Sequence, residues 1–421
     1  MGGWLQDLAV TVRGLARRPG LTVAVVLTTA LGIGATTTVY SVVDGVLLRP
    51  LPHPEPDRIA VVGTTFPSRE WADAGANRMQ LAGTSMLNYL DFRERARSLA
   101  SLGALEPTSV LLPDVGRGPE LAQAARVNPA FFETLGVRAE RGRLFGPGDD
   151  GEEAIVLSYA AWVQRLGADP GAVGRSVQLV GGTAMVVGVL PRGFAPPEAI
   201  AGSSVEFYLP LDPGHPRYAS RGARSLVLLG RLAPGATLDG AREELDAIAD
   251  ALAVEHPDGN VYPDGSHFGA GANTLLQETV GGTGRILGVF LGASTLLLLI
   301  AVLNSTGLLL ARGLDRRREL GIRAALGAGR RRLARLVLVE GVLLAVVGGA
   351  LGVGLAVVGV AAFRELGPAT LPRLGQVAVD GRVLLASTLL SLVVGVASAV
   401  VPTLRLPVGR SGVPGSRSPG E

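Results

Sequence analysis

The residues able to do chemistry are few, and their surroundings argue against most of what they could do. His256, Asp258, Asp264 and His267 combine imidazoles with carboxylates, the donor set of a divalent-metal site. Their spacing matches no metal motif, and Pro257, Gly259, Pro263 and Gly265 mark the stretch as a loop of turns, so solvated polarity is expected. His53 and His215 each stand beside proline with no partner set. The paired acids Glu152-Glu153 and Glu243-Glu244 read as solvated surface, and no G-x-S-x-G nucleophile elbow occurs. The 421 residues include no cysteine, which excludes thiol catalysis, disulfides and Cys-ligated metals. All 39 basic residues are arginine, so neither a Walker A lysine nor a Schiff-base lysine exists in this sequence. No catalytic, cofactor-binding or metal-binding residue is assigned, and no enzyme activity is expected.

Two polar features remain. Glu340 is an acid inside an otherwise apolar run, a position that flags function, with pairing to a nearby arginine as the structural alternative. Upstream runs "ARGLDRRRELGIRAALGAGRRRLARLVLVEGVLL", in which Asp315 to Leu326 can form a short helix. Glu319 and Arg323 pair four residues apart there, while Ile322 and Leu326 expose an apolar edge. Gly327-Ala328-Gly329 then permits a bend. Such a segment suits docking onto a cytoplasmic partner. It equally suits anchoring to anionic lipid, and the residues alone leave both open.

The elements that must position these features are membrane helices. With 48% hydrophobic residues, 18% charged and a mean hydropathy of +0.37, the chain is too apolar for an ordinary soluble enzyme. A helix needs about 20 apolar residues to cross the hydrocarbon, and four stretches qualify: 21–46, 286–311, 336–363 and 383–404. The first is too long for a signal peptide. Arginine is retained on the cytoplasmic side of short loops. Arg13, Arg17 and Arg18 before the first span, and the arginines of 312–335, therefore place both segments inside. Residues 47–285 and 364–382 follow as external, and 405–421, rich in Pro, Gly and Ser, as a disordered cytoplasmic tail. Residues 48–283 carry 20 Arg against 28 acids, a net −8, while the rest carries +11. The basic balance thus reflects topology and gives no reason to expect nucleic acid. Trp4, Leu5, Leu8, Val12 and Leu15 are spaced as one face of an amphipathic helix over 1–20 lying on the inner surface.

The external stretch alternates strand and helix signals. "RIAVVGTTF", "AMVVGVLP" and "SLVLLGRL" read as strands, "SMLNYLDFRERARSLASLGAL" as one helix, and "EEAIVLSYAAWVQRLG" as a strand entering a helix. A further helix follows the candidate N-cap Thr237, with Ala241, Leu245, Ile248, Ala249 and Leu252 on its apolar face. The fold class expected is four transmembrane helices with a large α+β extracytoplasmic domain inserted between the first and second.

Several long motifs carry a resemblance. The run "ELGIRAALGA" among arginines, with an acid near the start of the next span, resembles the signature of the MacB/FtsX-type ABC transporter permeases. "LARRPGLTVAVVLTTALGIGATTTVYSVVDGVLLRPLPHPEPDRI" is similar to the first span of that family. "RVNPAFFETLGVRAERGRLF", "MVVGVLPRGF" and "LLGRLAPGATLDGAREELDAIADAL" are similar to its MacB-type periplasmic core domain. The resemblance covers about residues 5 to 405. It implies a permease without catalytic residues that passes ATP-driven motion from a separate cytoplasmic ATPase to the outer domain. It assigns Glu319, Leu320, Gly321, Ile322, Arg323, Ala325, Leu326 and Gly327 to the segment that meets the ATPase, and Glu340 to the family's acid in the third span. It also implies a bacterial inner-membrane location and a second permease unit, identical or related, because many relatives carry two units where this sequence has one. Gly288 and Gly292, or Gly341, Ala345 and Gly349, or Gly348 and Gly352, could serve that pairing or contacts within the chain's own bundle. The alternative function is an orphan membrane scaffold whose outer domain binds an envelope protein without an ATPase. A membrane-anchored hydrolase lacks any recognisable constellation.

Overall fold

A computed structural model describes residues 11–13, 15–17, 19–66, 81–113, 118–146, 148–149, 153–180, 182–194, 196, 204–262, 264–315, 330–367 and 373–404. It contains two compact units, one formed by the chain up to Arg49 together with the chain from Thr283 onward, the other by Pro50–Gly282. Helix α1 (Pro19–Val43) leads into a π-turn over Asp44–Leu48. Then come β1 (Ile59–Thr65), α2 (Met86–Arg95), β2 (Leu99–Leu112), β3 (Glu120–Val127) and α3 (Pro129–Leu135). They are followed by β4 (Arg141–Gly142), β5 (Ala154–Leu157), α4 (Tyr159–Leu166), β6 (Ser176–Leu179), β7 (Gly182–Val189) and β8 (Phe207–Pro210). The inserted unit closes with β9 (Val227–Leu232), α5 (Leu238–Glu255), β10 (Gly269–Thr274) and α6 (Leu275–Val280). Helices α7 (Thr283–Asp315), α8 (Arg330–Leu366) and α9 (Gly381–Leu404) complete the chain. The four helices α1, α7, α8 and α9 are each long and apolar enough to cross a membrane, and the mixed-sheet unit lies between the first and second of them, as expected.

The inserted unit is built on one ten-stranded mixed sheet in the order β10-β1-β9-β2-β3-β8-β5-β7-β4, with β6 paired to β7. Alternation along each strand feeds its two faces. Ile59 and Val61 of β1 enter one core with Phe131, Phe132 and Tyr208, whereas Ala60 and Val62 enter another with Tyr89, Phe92 and Leu245. A third core gathers Ile155, Leu157, Trp162, Val186 and Phe207. The phase of β7 is kept by a bulge: Ile155 pairs with Val186 but Val156 pairs with Gly188, so Val186 and Val189 share a face although three residues apart. Beyond β7 the sheet curls, and the Val180 N–H donates to Leu111 O of β2 at 2.8 Å.

Short helices start where polar side chains satisfy their first amides. Ser85, Asn128, Ser158, Thr237 and Thr274 each accept the backbone N–H of the third residue of the helix that follows. The expected N-cap Thr237 is among them. The long helix expected from Ser85 through Leu105 is not formed: α2 stops at Arg95, and Leu99 already belongs to β2. Glu244 of α5 explains the break, because its carboxylate accepts the N–H groups of Arg97 and Ser98 at 2.9 and 2.8 Å and fixes the turn between helix and strand. Burial pushes the Glu244 carboxyl pKa up, yet the hydrogen bonds from Ser98 and Arg97 outweigh it and leave the pKa below the ordinary value. Glu244 is thus an anchor where sequence pointed to solvated surface.

Helix α5 also guards the free side of β10, where Asp246 accepts Ala270 N–H at 3.1 Å and Arg242 donates to Ala272 O at 2.6 Å. A bare edge strand would invite another chain to pair with it. Close packing of α3 depends on Gly103 of β2, where a Cβ would lie 2.5 Å from the Phe131 Cα. Gly103→Val is expected to destabilise the inserted unit by about 1–3 kcal/mol. Thermal unfolding of the full chain in lipid nanodiscs should show a lowered first transition, and an unchanged one would mean that α3 can shift without loss.

Candidate functional site

In a bilayer, helices gain nothing from escaping water, so their association rests on close packing and on polar contacts between them. Helix α1 concentrates both. Gly32 lets α7 approach until a Cβ there would stand 2.8 Å from the Ala301 Cβ. Gly34 sits against Gly352 of α8, with Gly352 O 3.0 Å from the position a Cβ would take. Gly348 faces Thr29 in the same way, and Gly359 faces Thr38. Hydroxyls bridge what the glycines bring near: Thr29 to Ser305 of α7 at 3.2 Å, Thr36 to Ser294 O at 3.1 Å, and Thr37 to Ser387 of α9 at 3.1 Å. Helices α8 and α9 meet where Gly341 faces Ala399 and Gly395 faces Ala345.

These contacts decide the small-residue stripes. Gly341, Ala345, Gly348, Gly349 and Gly352 face α1 or α9 within the chain's own bundle, whereas Gly288 and Gly292 of α7 have open space around them. Helix α7 is also the most peripheral, with 17% of its apolar window covered against 44% for α1. Before α1, Leu15 is buried with Val25, Leu309 and Leu344, and Leu15 O accepts the Thr22 hydroxyl at 3.1 Å. Leu15 is therefore packed on the bundle, residues 1–10 of the expected amphipathic helix lie outside the described residues, and Pro19 begins α1 where its missing N–H costs nothing.

Glu340 lies on α8 and is 6% exposed, directly before the Gly341 crossing with α9 and one turn from the buried Leu344. The structure thus places this acid inside the bundle. The segment Glu319, Leu320, Gly321, Ile322, Arg323, Ala325, Leu326 and Gly327 lies outside the described residues.

Sequence reasoning missed a second polar group, at the end of α1 that leads into the inserted unit. The π-turn places Asp44, 3% exposed, beside Arg49, whose N–H donates back to Asp44 O. A guanidinium nitrogen of Arg49 lies 3.5 Å from the Asp44 carboxylate and 2.6 Å from that of Asp380. Asp380 begins α9, its other oxygen accepting the N–H groups of Arg382 and Val383, and these bonds, Val383's foremost, hold its pKa below the ordinary carboxylate value. Arg373 sits buried at φ +60°, a backbone conformation that costs a non-glycine residue roughly 1–2 kcal/mol. Its guanidinium donates to Val46 O at 3.1 Å and to the Gln376 side chain at 2.6 Å. Burial, and then the like charge of Arg49, lower its pKa, with Asp44 opposing. Gly45 completes the contact, since a Cβ there would stand 2.9 Å from the Val377 Cα. Asp44 was visible as an acid in an apolar run, the same signal that singled out Glu340, but Arg373, Gln376 and Asp380, which complete the group, lie more than 320 residues further along the chain.

Among the described residues of the inserted unit, no three His, Cys, Asp or Glu side chains converge. His256, Asp258, Asp264 and His267 are exposed, and the Asp264 carboxylate is engaged by Ser266 within its own turn.

If the glycine crossings hold the bundle together, Gly352→Leu should lower the thermal midpoint of the reconstituted chain by several degrees, through an overpacking cost of about 1–3 kcal/mol. Gly292→Leu, at an open position, should leave the midpoint within about 1 °C. Equal sensitivity of the two would refute this packing.

The model of the MacB-like periplasmic core domain matches residues 22–248, and that of the FtsX-like permease C-terminal region matches residues 291–406. Over 231 residues the chain is 24% identical to the macrolide export ATP-binding/permease protein MacB of Neisseria meningitidis, in serogroup A and serogroup B strains alike. That alignment covers 54% of this chain and 34% of the relative, so the chain spans about a third of the curated relatives it matches. Among solved structures, a domain of a putative permease protein from Porphyromonas gingivalis aligns at 15% identity and TM-score 0.41, covering 53% of this chain and 92% of that one. The periplasmic region of MacB from Actinobacillus actinomycetemcomitans aligns at 14% identity and TM-score 0.38, covering 57% and 96%. The first family model alone takes in more than half of the sequence, and together with the second, in this order along the chain, it makes this membrane protein a member of the MacB/FtsX-like permease family of ABC transporters.

Proposed function

We propose that the chain is the permease subunit of an ABC-type export or extraction system, passing ATP-driven motion from a separate cytoplasmic ATPase to its extracytoplasmic domain. The observation that carries this reading is the pair of family models over 22–248 and 291–406 on a sequence without a lysine for a Walker A loop. This reading accordingly assigns hydrolysis to a nucleotide-binding unit outside these 421 residues. In this reading the protein sits in a bacterial inner membrane with both termini cytoplasmic, residues 47–285 and 364–382 outside, and 312–335 inside, as the arginine distribution supports. Glu319 to Leu326, ending at Gly327, meets the ATPase: a short amphipathic charged segment between two spans can transmit a push only if something grips it. Glu340, buried on α8 near the start of the third span, is in this reading the family's acid at that place, paired with a nearby arginine. A second permease unit, identical or related, completes the assembly, and the open α7 face around Gly288 and Gly292 is free to meet it. An envelope partner on the outer domain fits the same scheme.

The test compares complexes captured on the full chain from its native membranes, reconstituted in nanodiscs, with a variant whose Glu319 to Leu326 segment is replaced by Gly and Ser. An ATPase is expected to co-purify with the unsubstituted chain, with retention and stimulated hydrolysis both falling at least tenfold in the variant, a loss of about 1.4 kcal/mol or more in coupling. Capture of no nucleotide-hydrolysing partner by the unsubstituted chain would sink the transporter reading and leave a membrane scaffold.

A further inference from the structure

The charges at the end of α1 are arranged as a closure between two parts of the chain that nothing else at that level joins by ion pairs among the described residues. On one side stand Asp44 and Val46 of the π-turn and Arg49 just after it, and on the other Arg373, Gln376 and Asp380 of the connection between α8 and α9. Arg49 spans the gap to Asp380, while Arg373 reaches back to the Val46 carbonyl. Gly45 and Val377 meet backbone to backbone between them. Three features mark the contact as more than packing. A π-turn, rare in itself, aims Asp44 inward. Arg373 is held at a positive φ that its guanidinium contacts must offset. The Arg49–Asp380 pair, by contrast, is only partly covered, with side chains 27% and 36% exposed, so it can open without stranding a buried charge.

We propose that Asp44, Arg49, Arg373 and Asp380 form an ionic latch that clamps the last turn of the first span to the connection between the third and fourth spans. Opening of the Arg49–Asp380 pair releases the first span to move independently. With the latch shut, α1 and the start of α9 shift as one body. With it open, the π-turn can rewind or extend while Arg373 stays with its own turn. The inference rests on the bundle alone and needs no ATPase, so it survives or fails apart from the function proposed above.

The absence of cysteine makes the test clean. Spin labels go on Leu48→Cys, which is 57% exposed, and on Gly375→Cys, where there is open space. The full chain is reconstituted in nanodiscs and the label separation is read by electron paramagnetic resonance. One short separation is expected for the parent. Arg49→Gln and Asp380→Asn should each raise the separated population on the order of fivefold. Asparagine still caps α9, so the second variant removes the charge and keeps the helix start. Arg49→Lys should retain the short separation, and Gly45→Leu should separate the labels without touching any charge. If Arg49→Gln and Asp380→Asn both keep the parental separation, the contact is mere packing and the latch is refuted.

Discussion

Backbone contact between helices inside hydrocarbon is the constraint on which this molecule depends. Gly32, Gly34, Gly348, Gly352 and Gly359 carry no side chain where α1 touches α7 and α8, and the hydroxyls of Thr29, Thr36 and Thr37 can reach neighbours only because those glycines admit them. A water-soluble bundle could replace such crossings with larger apolar side chains and gain by burying them. Here the surrounding lipid is as apolar as leucine, so distance and polar complementarity are the available means. They make α1 the hub: every other span leans on it, and the inserted unit follows it in the chain.

How much of this was legible follows from the physics of each signal. The four spans announce themselves because crossing hydrocarbon demands a long apolar run that little else produces. Family membership came from residues in order, not from a site, since among the described residues no three metal-ligating side chains converge. The small-residue stripes were visible, but spacing says only that a helix face is smooth, and the structure had to say that Gly341 meets α9 while Gly288 faces open space among the described residues. The helix overrun into β2 has a local cause. Leu99, Leu102 and Leu105 repeat at a helical spacing, a bulge between Leu99 and Ser101 sets their faces in the strand, and the decisive anchor, Glu244, is contributed from almost 150 residues later.

The charged closure beside the π-turn shows the same limit more sharply. Arg373 and Asp380 belong to a connection with no motif, and a positive φ at arginine leaves no trace in sequence. Only the fold brings them to Asp44 and Arg49. Charge placed there is economical: near the boundary of the hydrocarbon the dielectric is low enough to strengthen a pair, yet water is close enough to receive either ion once it parts.

The pairing of β1 with β10 has a mechanical consequence. The first and last strands of the inserted unit are antiparallel neighbours, with Ala60 opposite Thr274 at the end where the chain enters one and leaves the other. Tension applied through the two flanking spans would therefore load that ladder from a single end. Such a geometry unzips bond by bond and does not share the load in shear. The side-chain ties from Asp246 and Arg242 to the far side of β10 act as a second seam, so that under tension the strand must be stripped from a helix as well as from its neighbour.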